Sequence, residues 1–339
     1  MIAPHPSLWT HGGADALGVA SFDFSTNSNA CGPCPSALAA VQAADASHYP
    51  DPAYTTLRQS LAAFHRVAPE RVLLAGSASE AIFRLTAWAQ QQGVGTVHLP
   101  DHHYGDYARA AQAWGLPRSG DPGGALCWAC EPSSPLGQPH AHWFLDTARF
   151  TVLDHAYTPL RLSGASSLDV AQLDQVWQLF TPNKALGLTG VRAAYLIAPS
   201  PLLTRSIDQK DLDIEQLRLM APSWVLGAHG AALLQAWVSP EVQAWLASCL
   251  PLLRDWKARQ IKLLQQLGWQ VAPSEANYFC ARPPVPLDLT ALRQQSIKLR
   301  DATSFGLPGW YRLGVLAPQA QDTLVAALTH TTTILESST

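Results

Sequence analysis

Polar groups at the ends of apolar runs and in the loops between them together describe one kind of chemistry. Asp154 directly follows the apolar FTVL, where a carboxylate is costly to bury unless a cation meets it. Thirty residues on, Lys184 lies in the loop TPNKALGLTGVR, and Arg192 follows eight positions later. Upstream, VLLA runs into GSASEA, small residues that open a helix. Their backbone N–H groups make an anion cradle at the helix N-terminus, and the Ser77 and Ser79 hydroxyls add donors. Taken singly, an ordinary N-cap explains the serines and a solvated surface explains the lysine. Taken together they fit a narrower requirement. An aldehyde cofactor needs a lysine for a Schiff base, a carboxylate to keep its pyridine nitrogen protonated, and a helix N-terminus with an arginine for its phosphate. The constellation predicts a pyridoxal-phosphate site.

A second motif points elsewhere. NACGPCP, residues 29–35, carries the CxxC spacing of a thioredoxin-type redox pair. Such a pair follows a strand and opens a helix, which lowers the pKa of its first thiol. Here FDFSTNSNA alternates briefly and turns polar, Pro35 follows at once, and SALAAVQAA continues as a helix. Local structure alone leaves redox chemistry open. The other pair, Cys127 and Cys130, lies about 90 residues away, far outside the spacing of paired zinc knuckles, so no metal is expected.

The elements that must position these groups alternate. Helical periodicity in AYTTLRQSLAAFHRV leads to a strand, RVLLAG. SEAIFRLTAWAQQQ is then helical, TVHLP extended and YGDYARAAQAWG helical, and ALCWAC, FTVLDHAY and VRAAYLIAP are buried strands. This order predicts an α/β fold, a mostly parallel sheet flanked by helices, with its ligand at the carboxyl ends of the strands. Longer helices, APSWVLGAHGAALLQAWV and PEVQAWLASCLPLLRDWKARQIKLLQQLG, and short strands in YFCARP and WYRLGVL make a smaller C-terminal α+β unit. We expect an arm over 1–38, a large domain over 39–225 and a small domain over 226–339. Hydrophobic residues at 47% against 14% charged ones imply a large ordered core. A formal net charge of -3 gives no reason to expect nucleic acid or an anionic membrane as partner. MIAPHPSLWTHGG has neither the basic nor the apolar region of a signal peptide, so a cytoplasmic protein is expected.

The motifs resemble, in order and over nearly the whole chain, those of the fold-type I pyridoxal-phosphate enzymes of the class I/II aminotransferase family. The nearest group is that of histidinol-phosphate aminotransferases and threonine-phosphate decarboxylases. The resemblance implies that Lys184 is the Schiff-base lysine and that Arg192, Thr181, Ala78 and Ser79 meet the cofactor phosphate. In LDHAY it puts Asp154 at the pyridine nitrogen and Tyr157 at the ring hydroxyl, and it makes Tyr104 in HHYGDY the aromatic stacked on the ring. Asp154, Lys184 and Tyr104 become the catalytic set. Ser134 in SSPLG stands where the family has an asparagine on that hydroxyl, and Asn183 where serine is common before the lysine. HYPDP matches the segment whose tyrosine, here Tyr49, reaches the phosphate of a neighbouring subunit, which implies a homodimer with shared active sites. STNSNACGPCP occupies the place of the N-terminal arm, so Cys31, Gly32 and Pro33 become turn residues and CGPC a coincidence.

Within the group, HGG at 11–13 and LRDATSFGLPGWYRLGV resemble the threonine-phosphate decarboxylases more than the aminotransferases. That implies a phosphorylated amino acid as substrate. Arg312 would hold its carboxylate, and Arg300, His11 and Asn29 its phosphate. The expected reaction is decarboxylation of L-threonine phosphate to aminopropanol phosphate, on the branch supplying the nucleotide-loop linker of cobalamin. Transamination of histidinol phosphate is the alternative, and a catalytically silent cofactor-binding relative a third reading.

Overall fold

The structure, a computed structural model, describes residues 11–146, 148–200 and 214–336. Its larger sheet has six strands: β2 (Val72–Ala75), β3 (Val97–His98), β4 (Leu126–Cys130), β5 (Phe150–Asp154), β6 (Trp177–Phe180) and β7 (Ala194–Ile197), in the spatial order β2-β7-β6-β5-β4-β3. Neighbours from β3 to β6 pair in parallel, and β7 runs antiparallel to both β6 and β2. The strands are apolar and buried nearly throughout, which a sheet covered on both faces requires. Helix α3 (Ala78–Gln91) turns Ile82, Leu85 and Trp88 toward the sheet, where Trp88 meets Trp177 edge-on at 5.4 Å.

One strand was absent from the pattern reading. WQLF, residues 177–180, is too short to show a period, yet it forms β6 and delivers Thr181 and Lys184. A helix expected to begin at 221 begins at Ala228 instead. Pro222 follows Ala221, Trp224 sits in the left-handed region at φ +49°, and Gly227 is the N-cap, so the segment before Ala228 is a turn.

The second sheet is antiparallel, in the order β11 (Arg300–Asp301), β12 (Tyr311–Gly314), β9 (Tyr278–Arg282) and β8 (Gln270–Val271). The 27-residue helix Pro240–Gln266 runs along the helix Pro318–Glu336 beside it. The arm is tied to this half, because β1 (Phe22–Asp23) pairs in parallel with β10 (Ile297–Lys298) and the Gly314 N–H donates to Phe24 O at 2.7 Å. Arg161 links the halves through Glu131, 2.6 Å away at the end of β4, and Glu275 before β9. None of the described helices is long and apolar enough to cross a membrane.

Candidate active site

A cavity of about 680 Å³ opens where the carboxyl ends of the parallel strands face the smaller sheet. Asp154, the last residue of β5, lines it and is 3% exposed. Its Oδ1 accepts the Ala156 N–H at 2.9 Å, and its Oδ2 accepts the Tyr107 hydroxyl at 2.7 Å. Burial raises the pKa of this carboxyl, and the Tyr107 and Ala156 donors and Lys184 oppose the rise. Half-buried Lys184 enters from the loop after β6, its Nζ 5.4 Å from the centre of the Tyr157 ring.

At one end of the cavity, α3 presents its N-terminus. The Ser77 side chain caps the helix by accepting the Glu80 N–H at 3.0 Å, while the Ala78 and Ser79 N–H groups lie in the first turn, outside the helical ladder. Thr181, Asn183 and Arg192 line the same cavity, with Thr181 Oγ1 3.2 Å from both Asn183 Oδ1 and Ala193 O. Tyr104, N-cap of α4 (Gly105–Ala113), stands beside them with its hydroxyl 3.4 Å from Ser79 Oγ. Burial pushes its phenol pKa up, and Asp106 adds to that. A helix N-terminus, a guanidinium and hydroxyls suit a phosphate dianion, and a buried carboxylate and a lysine suit a pyridine aldehyde. The donor set fits pyridoxal phosphate.

The other end carries the arginines. Arg300 and Arg312 are partners in the β11–β12 register, so their side chains leave the same face of the sheet. They are 5% and 7% exposed, and both lie over the Phe305 ring, at 4.8 and 5.4 Å. Arg300 donates to Asp301 O at 2.6 Å and to Ser304 Oγ at 2.7 Å. Burial, then the neighbouring Arg312, lowers its pKa to about 10, so it remains a cation at neutral pH. Arg312 donates to Ser25 O at 3.1 Å and approaches Ser134 Oγ at 3.5 Å, and its Nε is buried with no partner among the described residues. His11 lines this end with its ring 6.5 Å from that of Tyr104, its pKa lowered by burial.

Two expected residues stand elsewhere. Asn29 does not line the cavity: its Nδ2 donates to Ala185 O at 3.0 Å and its Oδ1 accepts the Cys31 N–H, so it fastens the arm to the lysine loop. Asn27 takes the cavity position. Its Nδ2 reaches the Tyr157 hydroxyl at 3.3 Å, and its Oδ1 is buried with no hydrogen-bond partner among the described residues. Two asparagines a residue apart gave no signal for choosing between them. Tyr49 is 77% exposed and stacked on Trp224 at 4.3 Å, outside this chain's own cavity. Sequence reasoning also passed over Tyr107, which stands behind the cavity wall, and the Asp106–Arg109 ion pair of 2.8 Å on that wall, although YGDYAR puts all three within five residues of Tyr104.

The CGPC residues do form a turn. Gly32 lies at φ +90°, and Cys34 is the N-cap residue of α1 (Pro35–Gln42). Burial pushes the Cys31 thiol up to about 12 and raises that of Cys34, the reverse of what a redox pair needs.

Residues 144–329, more than half of the chain, match the aminotransferase class I and II family. The chain is similar to histidinol-phosphate aminotransferase 2 of Burkholderia mallei, with 27% identity over 337 residues that cover 90% of each protein. It superposes on L-threonine-O-3-phosphate decarboxylase from Porphyromonas gingivalis with a TM-score of 0.73 and 19% identity, covering 92% of this chain and 99% of the other. Histidinol-phosphate aminotransferase from Sinorhizobium meliloti, solved in complex with pyridoxal-5'-phosphate, gives a TM-score of 0.69 at 18% identity, covering 89% and 88%.

Proposed function

The chain belongs to the aminotransferase class I and II family, a family of pyridoxal-phosphate enzymes, and from that premise we propose that it decarboxylates L-threonine O-3-phosphate. The observation that carries the reading is the registered pair Arg300 and Arg312, two buried guanidiniums in the same cavity as Lys184 and Asp154. A phosphorylated amino acid brings two anionic groups, and two guanidiniums leaving one face of the sheet into the same cavity can meet one each. Arg312 is read as the carboxylate anchor, with Arg300, His11 and Asn27 around the substrate phosphate. Asn29 leaves that set because its amide is committed to the lysine loop.

The remaining roles follow from position. Ala78, Ser79, Thr181 and Arg192 would bind the cofactor phosphate, Tyr104 would cover the ring, and Tyr157 and Ser134 would face its hydroxyl. Asp154 would hold the proton on the ring nitrogen. When bound, the cofactor supplies an electron sink for the pair left on the substrate's Cα. Arg312 fixes where the carboxylate lies and so which Cα bond is presented to that sink. Lys184 Nζ is the group placed to hold a proton and return it to Cα after carbon dioxide leaves. The Tyr49 and Trp224 face is read as the seam of a homodimer whose sites share residues, and the product as the amino-alcohol phosphate used to build the cobalamin loop.

The names of the curated relatives favour a second reading, transamination of histidinol phosphate. One experiment separates them. Purified enzyme is given L-threonine phosphate without a keto acid, and released carbon dioxide and amine product are measured. Turnover of histidinol phosphate only with a keto-acid acceptor, and no carbon dioxide from threonine phosphate, refutes the decarboxylase.

A further inference from the structure

Tyr107 lies outside the cavity yet is bonded to the residue on which the cofactor's chemistry turns. It is 1% exposed on α4, its ring stacked on Trp128 at 4.7 Å and 11°. Its hydroxyl meets Asp154 Oδ2 at 2.7 Å, while the Ala156 N–H meets Oδ1 at 2.9 Å. Each carboxylate oxygen is thus held by one donor, and the two donors come from different parts of the fold. The carboxylate cannot turn about its Cβ–Cγ bond without breaking both hydrogen bonds.

We propose that Tyr107 is a positioning residue for Asp154, its hydroxyl fixing the carboxylate toward the cavity and holding it ionised so that it can keep a protonated ring nitrogen. The inference rests on the pyridoxal-phosphate reading of the site. The groups facing Asp154 are Tyr107 from α4, the Ala156 N–H at the end of its own strand, Lys184 from the loop after β6, and the Cys130 thiol of neighbouring β4. The thiol is neutral, because burial raises its pKa well above the usual range. Burial favours the protonated carboxyl, and a phenol hydrogen aimed at Oδ2 favours the anion. Removing that hydrogen raises the carboxyl's pKa. Cofactor retention that needs the anion is then lost at a higher pH as the solution is acidified.

The test uses holoenzyme and reads cofactor retention against pH, from bound-cofactor absorbance and from free pyridoxal phosphate released on gel filtration. Tyr107→Phe keeps the ring on Trp128 and removes the hydroxyl alone. Loss of a hydrogen bond to a charged group moves the acid midpoint up by about 1–2 pH units. A second chain carrying 3-fluorotyrosine at 107 keeps the packing and donates more strongly, so its midpoint moves down. A residue that only packs moves neither midpoint, and unchanged midpoints overturn the proposal. If Tyr107→Phe does not fold, the direction of the fluorotyrosine shift decides. Wild-type protein that takes up no pyridoxal phosphate overturns the cofactor reading itself, whatever Tyr107 does.

Discussion

Arg300→Ala separates substrate recognition from scaffolding. The side chain is 5% exposed, so solvent screens its contacts little, and it stays charged because its pKa lies near 10. A charged hydrogen bond to a phosphate oxygen is worth about 1.5–3 kcal/mol, which corresponds to a rise in KM of roughly 10- to 150-fold. The substitution also strips donors from Asp301 O and Ser304 Oγ and a cation from the Phe305 face, which lowers stability by about 1–3 kcal/mol. That loss is common to all substrates and is read separately in a urea titration. The assay is KM and kcat for L-threonine phosphate and for L-threonine. KM rises for the first and stays within about threefold for the second, a change of ~0.7 kcal/mol or less. Arg300→Lys keeps the charge without the planar fork and falls between. Arg312→Ala impairs both substrates, since both carry the α-carboxylate. Because the two arginines are register partners, the double substitution costs less or more than the sum. Equal losses on the two substrates in Arg300→Ala refute the phosphate assignment and make Arg300 a strut of the small sheet.

Other outcomes follow from the same geometry. Purified protein reconstituted with pyridoxal phosphate carries a visible absorbance band, and Lys184→Ala abolishes it; a band that survives assigns the imine to another lysine. Replacing both Cys31 and Cys34 by serine leaves kcat/KM within a few-fold, whereas a fall of about 30-fold, or ~2 kcal/mol, returns the pair to a chemical role. Mixing Lys184→Ala chains with Tyr49→Phe chains restores part of the activity that each lacks, because one site of a mixed dimer carries neither change, and sedimentation shows whether the active species is a dimer at all.

The groups legible in the sequence were those that a visible strand or a loop motif hands to the cavity. Asp154 ends a strand that the alternation of apolar runs showed, whereas the strand before Thr181 and Lys184 was not read, and those two were legible through the loop motif TPNKALGLTGVR instead. Register pairing was not legible. Arg300 and Arg312 are separated by a turn with Gly306 and Gly309 both at positive φ, and only the β11–β12 ladder sets them side by side. The arm was harder still. Its two-residue strand β1 owes its place to β10, nearly the whole chain away, and local propensity carries no trace of such a partner.

The arm's placement explains why its residues matter to chemistry that others perform. On one side the Asn29 N–H donates to Lys184 O at 2.9 Å and the Cys34 N–H to Leu186 O at 2.8 Å. Gly187, at φ +68°, lets the Gly32 carbonyl come so close that a Cβ there would stand 2.6 Å from it. On the other side Arg312 donates to Ser25 O, and the Gly314 N–H to Phe24 O. A short run of backbone between Phe24 and Cys34 therefore spans from Arg312 to the Lys184 loop. Groups from two different sheets must agree in position to within a fraction of an ångström for a proton to pass to one carbon. The arm supplies that agreement by bonding to the backbone of both, and so its sequence is constrained by turn geometry and carbonyl spacing. A pair of cysteines can occupy such a turn for the shape of CGPC alone.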